Sequence, residues 1–283
     1  MPTEKRARQK AARQAKRALQ ARRAKRRKLL RNSTLVTLGA GVVIALVVVT
    51  VGGGGPSKHA GSNPKSSTST PATTAATLTA AQAKAAQASA DKLATAAGCP
   101  ASTSARVNTL SWPAPPALAI DTSRTYTATV DTTAGSFVII LDAKAAPTTV
   151  NSFVFLAQHG FYHCVIFQRV IRGFMDQTGD PTGTGTGGPG YHFANENVPK
   201  SYATGDVAMA NSGGTDTNGS QFFLVVPGGA TTLDSDLASG NGYSLFGTVT
   251  SGMPVVEKIN ADGSTTGKPA VVQRILSVTI RER

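Results

Sequence analysis

Apolar and polar positions divide the chain into regimes before any motif is considered. Residues 1–31 are Arg, Lys, Ala and Gln, with Leu19, Leu29 and Leu30 as the large aliphatics. Ser33 to Val51 is uncharged and mostly Val, Leu, Ile, Ala and Gly. As a helix rising about 1.5 Å per residue it would cover about 28 Å, close to the hydrocarbon thickness of a bilayer. This predicts a membrane-spanning helix over 33–51. The run exceeds the apolar part of an ordinary secretory signal, and neither a clear A-x-A site nor a lipid-accepting Cys follows it. A retained anchor is therefore favoured over a cleaved signal. Gly52 to Thr77 is Gly, Ser, Thr, Pro and Ala, too poor in large side chains to offset its own ordering entropy, and is expected to be a flexible tether. Leu78 to Ala97 is Ala-rich and stops at Gly98, which predicts a short helix. Cys99 to Ser123 carries four prolines and reads as irregular chain, so 78–123 forms a pre-domain segment.

From residue 124 onward the pattern becomes that of a folded domain. Tyr126 to Val130 and Phe137 to Leu141 flank a turn signal at Asp131 to Gly135, which predicts a hairpin. Pro147 opens a helical pattern in which Val150, Phe153, Val154 and Leu156 recur, ending at Gly160. Strands are predicted at Val165–Ile171, Asp206–Ala210, Gln221–Val226 and Leu245–Val249, a second helix at Pro254–Asn260, and a closing strand at Val271–Ile280. Many short strands with two helices point to a closed antiparallel barrel.

Charge sharpens this division. Of the 29 Lys and Arg, 14 fall within residues 1–31, beside a single acid, Glu4. The net charge of +14 is thus the property of an arm (residues 1–32), and the remainder is close to neutral. No nucleic-acid groove is expected on the folded part. Positive charge ahead of the apolar run puts the N-terminus in the cytoplasm and the domain outside; the arm reads as a solvated tail, with a clamp on anionic lipid or RNA as the alternative.

The chemistry lies in three stretches: FQRVIRGFMDQTGD from Phe167 to Asp180, MANS from Met209 to Ser212, and NGSQFF from Asn218 to Phe223. In this order and spacing they resemble the cyclophilin family of peptidyl-prolyl isomerases, over roughly Thr125 to Ile280. The resemblance implies an eight-stranded barrel with helices capping its ends; the apolar pattern alone does not supply the strand count. It also implies that Arg169 is the catalytic donor, supported by Gln177. An X-Pro amide is held planar by resonance behind a barrier of about 18–20 kcal/mol. Twisting it localises the lone pair on the prolyl nitrogen, so a fixed guanidinium there favours the twisted state over the planar one. No nucleophile, cofactor or metal is called for. Phe174, Met175, Phe223 and Leu233 match the floor of the proline pocket, and Ala210, Asn211, Ser212 and Gln221 the residues that hold the peptide. Tyr243 stands where the family has His or Tyr. Without the motifs, the same apolar residues would read as ordinary core.

Gln168, Arg172 and Thr232 depart from the residues common in the family, His, Pro and (in some members) Trp. They flank the matched positions, so tuning is expected rather than loss. Gly183, Gly185 and Gly188 satisfy GxGxxG, but Pro189 follows in place of a helix, which argues against a dinucleotide site. His159 and His163, with Cys164 adjacent, form a superficial cluster whose pair lacks the third and fourth ligands of a structural metal site. Asn218 opens a formal glycosylation sequon inside a stretch needed for shape. Cys99 and Cys164 fit neither a zinc nor a CxxC spacing and, outside the cell membrane, are expected to form one disulfide. The expectation is a monomeric, membrane-anchored isomerase acting on proline-containing polypeptides. The rival readings are a non-catalytic proline-peptide module and a membrane scaffold that works through its basic arm.

Overall fold

The computed structural model describes residues 78–214 and 216–283. The arm, the predicted span and the tether lie outside the described residues. Among the described residues, no helix is long and apolar enough to cross a membrane.

The chain enters through helix α1 (Ala80–Ala96). Its start is fixed by a reciprocal cap in which the Thr79 hydroxyl accepts from Gln82 N and the Gln82 side chain accepts from Thr79 N. Ala90 and Ala94 are its buried positions. The domain then runs β1 (Tyr126–Thr132), β2 (Gly135–Leu141), α2 (Pro147–Gln158), β3 (Arg169–Ile171), β4 (Met175–Thr178), β5 (Asp206–Met209), β6 (Phe222–Val225), α3 (Gly229–Ala238), β7 (Leu245–Ser251), α4 (Met253–Ala261) and β8 (Ile275–Glu282).

The eight strands form one sheet of order β3-β4-β6-β5-β7-β2-β1-β8, with every strand pairing antiparallel. β1 and β2 alternate, sending Tyr126, Ala128, Val130, Phe137, Ile139 and Leu141 inward. The core they meet is aromatic. Phe153 of α2 sits edge-on to Phe222 with ring centroids 5.5 Å apart, and Tyr162 does so at 5.7 Å.

Three expectations need correction. First, β3 and β8, the outer strands of the sheet, do not pair as a ladder. A bridge between Ile166 and Arg274 and backbone bonds from Cys164 N to Ile275 O (2.8 Å) and Phe167 N to Gln273 O (3.0 Å) join the chain between them. The predicted strand 165–171 is broken: Ile166 makes only an isolated bridge, residues 167–168 are irregular, and only Arg169–Ile171 is regular. The strands therefore make a curved eight-stranded half-barrel, not an uninterrupted closed one. Second, Met175–Thr178 is a strand of its own; four residues of mixed polarity carry no alternation signal. Third, α3 is an additional helix, which packs Leu233 inward although its Thr- and Asp-rich sequence predicts none.

The pre-domain segment packs on the sheet. Val272 N donates to Gln87 Oε1 at 2.7 Å, and the buried Arg274 donates to Pro100 O at 2.7 Å while lying 3.8 Å from Asp91. Cys99 and Cys164 are joined by a disulfide across 65 residues, their Cα atoms 5.4 Å apart. Beyond it Val107 N reaches Pro181 O and Trp112 N reaches Pro189 O, so the segment holds both ends of the 180–190 loop.

Candidate active site

Register across four strands assembles the site. Arg169 is paired with Gln177, and Gln177 with Phe223, which in turn faces Ala208. Residues paired in this way share a face of the sheet, and neighbours along a strand point to opposite faces. Phe222 accordingly enters the main core, while Phe223 points to the other side. There it joins a second apolar cluster with Met175, Tyr202, Ala208, Val225 and Leu233. A one-residue slip of β6 would exchange the two phenylalanines and erase the site.

A cavity of about 150 Å³ opens on this second face. Its strand side is Arg169, Met175, Gln177 and Phe223; its helix side is Leu233, Asp236 and Tyr243; Phe174, Ala210 and Asn211 complete it. Nine of the residues predicted for the site therefore converge. The other two, Ser212 and Gln221, line an adjoining cavity of about 310 Å³ that shares Gln177, Ala210 and Asn211. Thr232 is exposed on α3 and lines neither. Close backbone approach shapes the helix side. A Cβ on Gly229 would run into the Phe174 carbonyl oxygen, so α3 can begin only with a glycine there.

Hydrogen bonds orient the polar members in series. Arg169 Nη1 donates to Gln177 Oε1 (3.3 Å) and lies 4.0 Å from Met175 Sδ. Gln177 Nε2 donates to Gln221 Oε1 (2.9 Å), and Gln221 Nε2 donates to Gly187 O (2.9 Å). The Gln168 amide adjoins that of Gln221 at 3.0 Å. Asn211 has a structural bond: its Nδ2 donates to Gly242 O at 2.9 Å and fixes the loop after α3. Arg172 is structural, donating to Ala261 O (2.7 Å) and Gly263 O (3.1 Å) at the end of α4.

The glycine-rich loop behind Gln221 wraps a carboxylate. Asp180 accepts from Thr182 N, Gly185 N and Gly187 N, and from the Thr182 hydroxyl. Burial pushes its pKa up, but these donors outweigh burial and hold it below the usual carboxylate value. The glycine pattern itself named no acid at the centre of the loop. Asp236 and Tyr202 were missed as well. The Tyr202 hydroxyl donates to Tyr243 O (2.7 Å) and accepts from Tyr243 N (2.8 Å), fixing the backbone beneath the Tyr243 ring. Burial raises the Tyr243 pKa and the Asp236 carboxylate raises it further, against the opposing charge of Arg169.

Elsewhere, Cys99, His163 and Cys164 lie together, but both sulfurs are spent in the disulfide. Asn218 is buried and its Nδ2 donates to Ala194 O and Ser244 Oγ, so the amide of the sequon is engaged in the fold.

The family model described as cyclophilin type peptidyl-prolyl cis-trans isomerase/CLD matches residues 127–280, more than half of the chain. The chain belongs to the cyclophilin-type peptidyl-prolyl cis-trans isomerases. Its relatives within the family are widely spread. The chain is 45% identical over 134 residues to peptidyl-prolyl cis-trans isomerase-like 1 of Aspergillus fumigatus, covering 46% of this chain and 78% of that protein. It is 41% identical over 141 residues to the peptidyl-prolyl cis-trans isomerase of Helicobacter pylori, covering 48% and 82%. Against the probable peptidyl-prolyl cis-trans isomerase B of Mycobacterium tuberculosis the figures are 40% over 170 residues, 53% and 52%. A crystal structure of a Cryptosporidium parvum cyclophilin aligns with 56% of this chain and 99% of its own, at 29% identity and a TM-score of 0.50. The three stretches lie inside the matched region and contribute most of the lining of the cavity.

Proposed function

We propose that this cyclophilin isomerises X-Pro bonds by seating the proline ring on Phe223, Met175, Phe174 and Leu233 while Arg169 donates to the prolyl nitrogen as the amide twists. One observation carries this reading: a guanidinium stands at the rim of a cavity floored by Met175, Phe223 and Leu233, held by Gln177 at 3.3 Å, with no carboxylate within ion-pair distance among the described residues. Planar amide nitrogen is a poor acceptor, and the pyramidal nitrogen of the twisted state is a good one. The donor therefore stabilises the transition state more than either ground state. Water is displaced from the ring side by Phe223 and Leu233, which strengthens that bond. Gln221 and the 210–212 backbone would hold the peptide in register beside the larger cavity.

The setting we propose is outside the cytoplasm, tethered to the membrane. The apolar run 33–51 behind 14 basic residues motivates the anchor, and the Cys99–Cys164 bond supports an oxidising compartment. The clients would be exported polypeptides whose X-Pro steps otherwise take tens to hundreds of seconds. The test is turnover of an Ala-Pro peptide by the full chain in detergent, followed by exchange spectroscopy. Catalysed exchange that a second proline peptide competes away is the expected result. Binding without faster exchange would reduce the site to a peptide-binding module.

A further inference from the structure

We propose that Asp236 selects substrates with a cationic side chain next to the isomerising proline. The inference rests on the reading of the 150 Å³ cavity as the proline site. Asp236 lies on α3 three residues after Leu233, so the two share one face of the helix. Leu233 is buried at the floor and Asp236 stands half-buried above it at the rim. The neighbouring acid, Asp234, is turned away and spent on Tyr202 N at 2.9 Å. Asp236 faces the Tyr243 hydroxyl and makes no ion pair among the described residues. Arg169, on the strand side of the same cavity, is engaged with Gln177.

Geometry gives this carboxylate a view of the substrate. A peptide with its proline in the cavity extends one way past Ala210 and Asn211 into the 310 Å³ cavity. That second cavity is lined by Gln, Asn, Ser, Thr, Gly, Ala and His192, without an acid, Lys or Arg. The residue on the other side of the proline must pass the helix side, where Asp236 is the single acid lining either cavity. Its charge stands half-buried at the rim, with no ion pair among the described residues. A Lys or Arg there would gain an ion pair and a Glu would meet like charge. Apolar contacts with Phe223 and Leu233 are indifferent to this choice, so the discrimination would belong to Asp236.

The experiment measures kcat/KM of the full chain in detergent on two peptide series. In one, Lys, norleucine or Glu precedes the proline; in the other, they follow it. The expected Lys-to-Glu preference is about fivefold in one series, on the scale of a half-exposed ion pair against a half-exposed repulsion. It should shrink in high salt, which shortens the Debye length. Asp236→Asn should bring the ratio close to one and Asp236→Lys should invert it. A ratio unchanged by either variant in both series, or a wild-type ratio near one in both, would overturn the proposal. Arg169→Ala separates the two claims. Full turnover in that variant would refute the proline-site reading itself, whereas the Lys-to-Glu ratio reports on Asp236 alone.

Discussion

The Arg169 guanidinium donates to the Gln177 side-chain oxygen at 3.3 Å because the two residues are directly paired between β3 and β4. The bond lies across the strands, in the row that also contains Phe223. Gln177 thus fixes the direction of a long, otherwise mobile side chain, and is itself fixed by Gln221 at 2.9 Å. Gln177→Ala should leave the fold intact and lower kcat/KM about tenfold, the equivalent of one hydrogen bond of about 1–1.5 kcal/mol. Steady-state kinetics beside a thermal melt check this. An unchanged kcat/KM would mean that Arg169 is oriented without Gln177.

The Cys99–Cys164 disulfide closes a loop of 65 residues and ties the pre-domain segment to the strand region that leads to Arg169. In the chain-entropy account such a closure stabilises by about 4 kcal/mol. Cys99→Ser with Cys164→Ser should lower Tm by several degrees and raise the urea sensitivity of the segment 99–123. Reductant should reproduce the shift in the wild type and leave the double variant unaffected. Two freely alkylatable thiols in protein made in an oxidising compartment would contradict the bond.

Much of this site was legible in the sequence and some of it was not, for physical reasons. Arg169, Phe174, Gln177 and Phe223 stood out because their spacing within the motifs is dictated by the strand register that brings them together. Strand β4, Met175–Thr178, was hidden because both of its faces are used. Met175 and Gln177 line the cavity and Asp176 and Thr178 are buried, so polarity does not alternate. Helix α3 was hidden by its composition, since Thr and Asp weaken periodicity and packing of Leu233 decides the matter. Asp236 was missed with it. The cysteine pair was legible from number and the expected compartment, whereas the continuous barrel was over-read from a strand that is irregular at 167–168.

Asp176 sets a pH dependence. Burial pushes its pKa up to about 8, Asn260 pulls it down through a 2.7 Å hydrogen bond, and the charge of Asp262 adds to the rise. An unfolded Asp ionises near pH 4. Between about pH 4 and 8 the folded chain keeps a proton that the unfolded chain has lost. Stability from this group is therefore full below about pH 4 and declines as pH rises through the folded value. Asp206 and Asp262 are also raised by burial and add slope of the same sign. Urea melts from pH 4 to 8.5 should show the decline, and Asp176→Asn, which can still accept from Asn260, should flatten most of it. An identical slope in the variant would contradict the assignment.

The proposed topology makes a cellular prediction. With residues 1–31 inside and the domain outside, protease added to intact cells should cut in the Gly-, Ser- and Pro-rich stretch 52–77 and release a domain fragment. Recovery of the whole chain in the soluble cytoplasmic fraction, with no membrane-bound pool, would contradict the anchor.

The central claim is that one guanidinium supplies the transition-state donor. The most direct measurement is kcat/KM of the Arg169→Ala chain on an Ala-Pro peptide, with circular dichroism and a melt to establish folding. Loss of a preorganised donor costs about a hundredfold or more. A folded variant at or below one hundredth of wild-type activity is the result the account predicts, and a folded variant with near-normal turnover would contradict it.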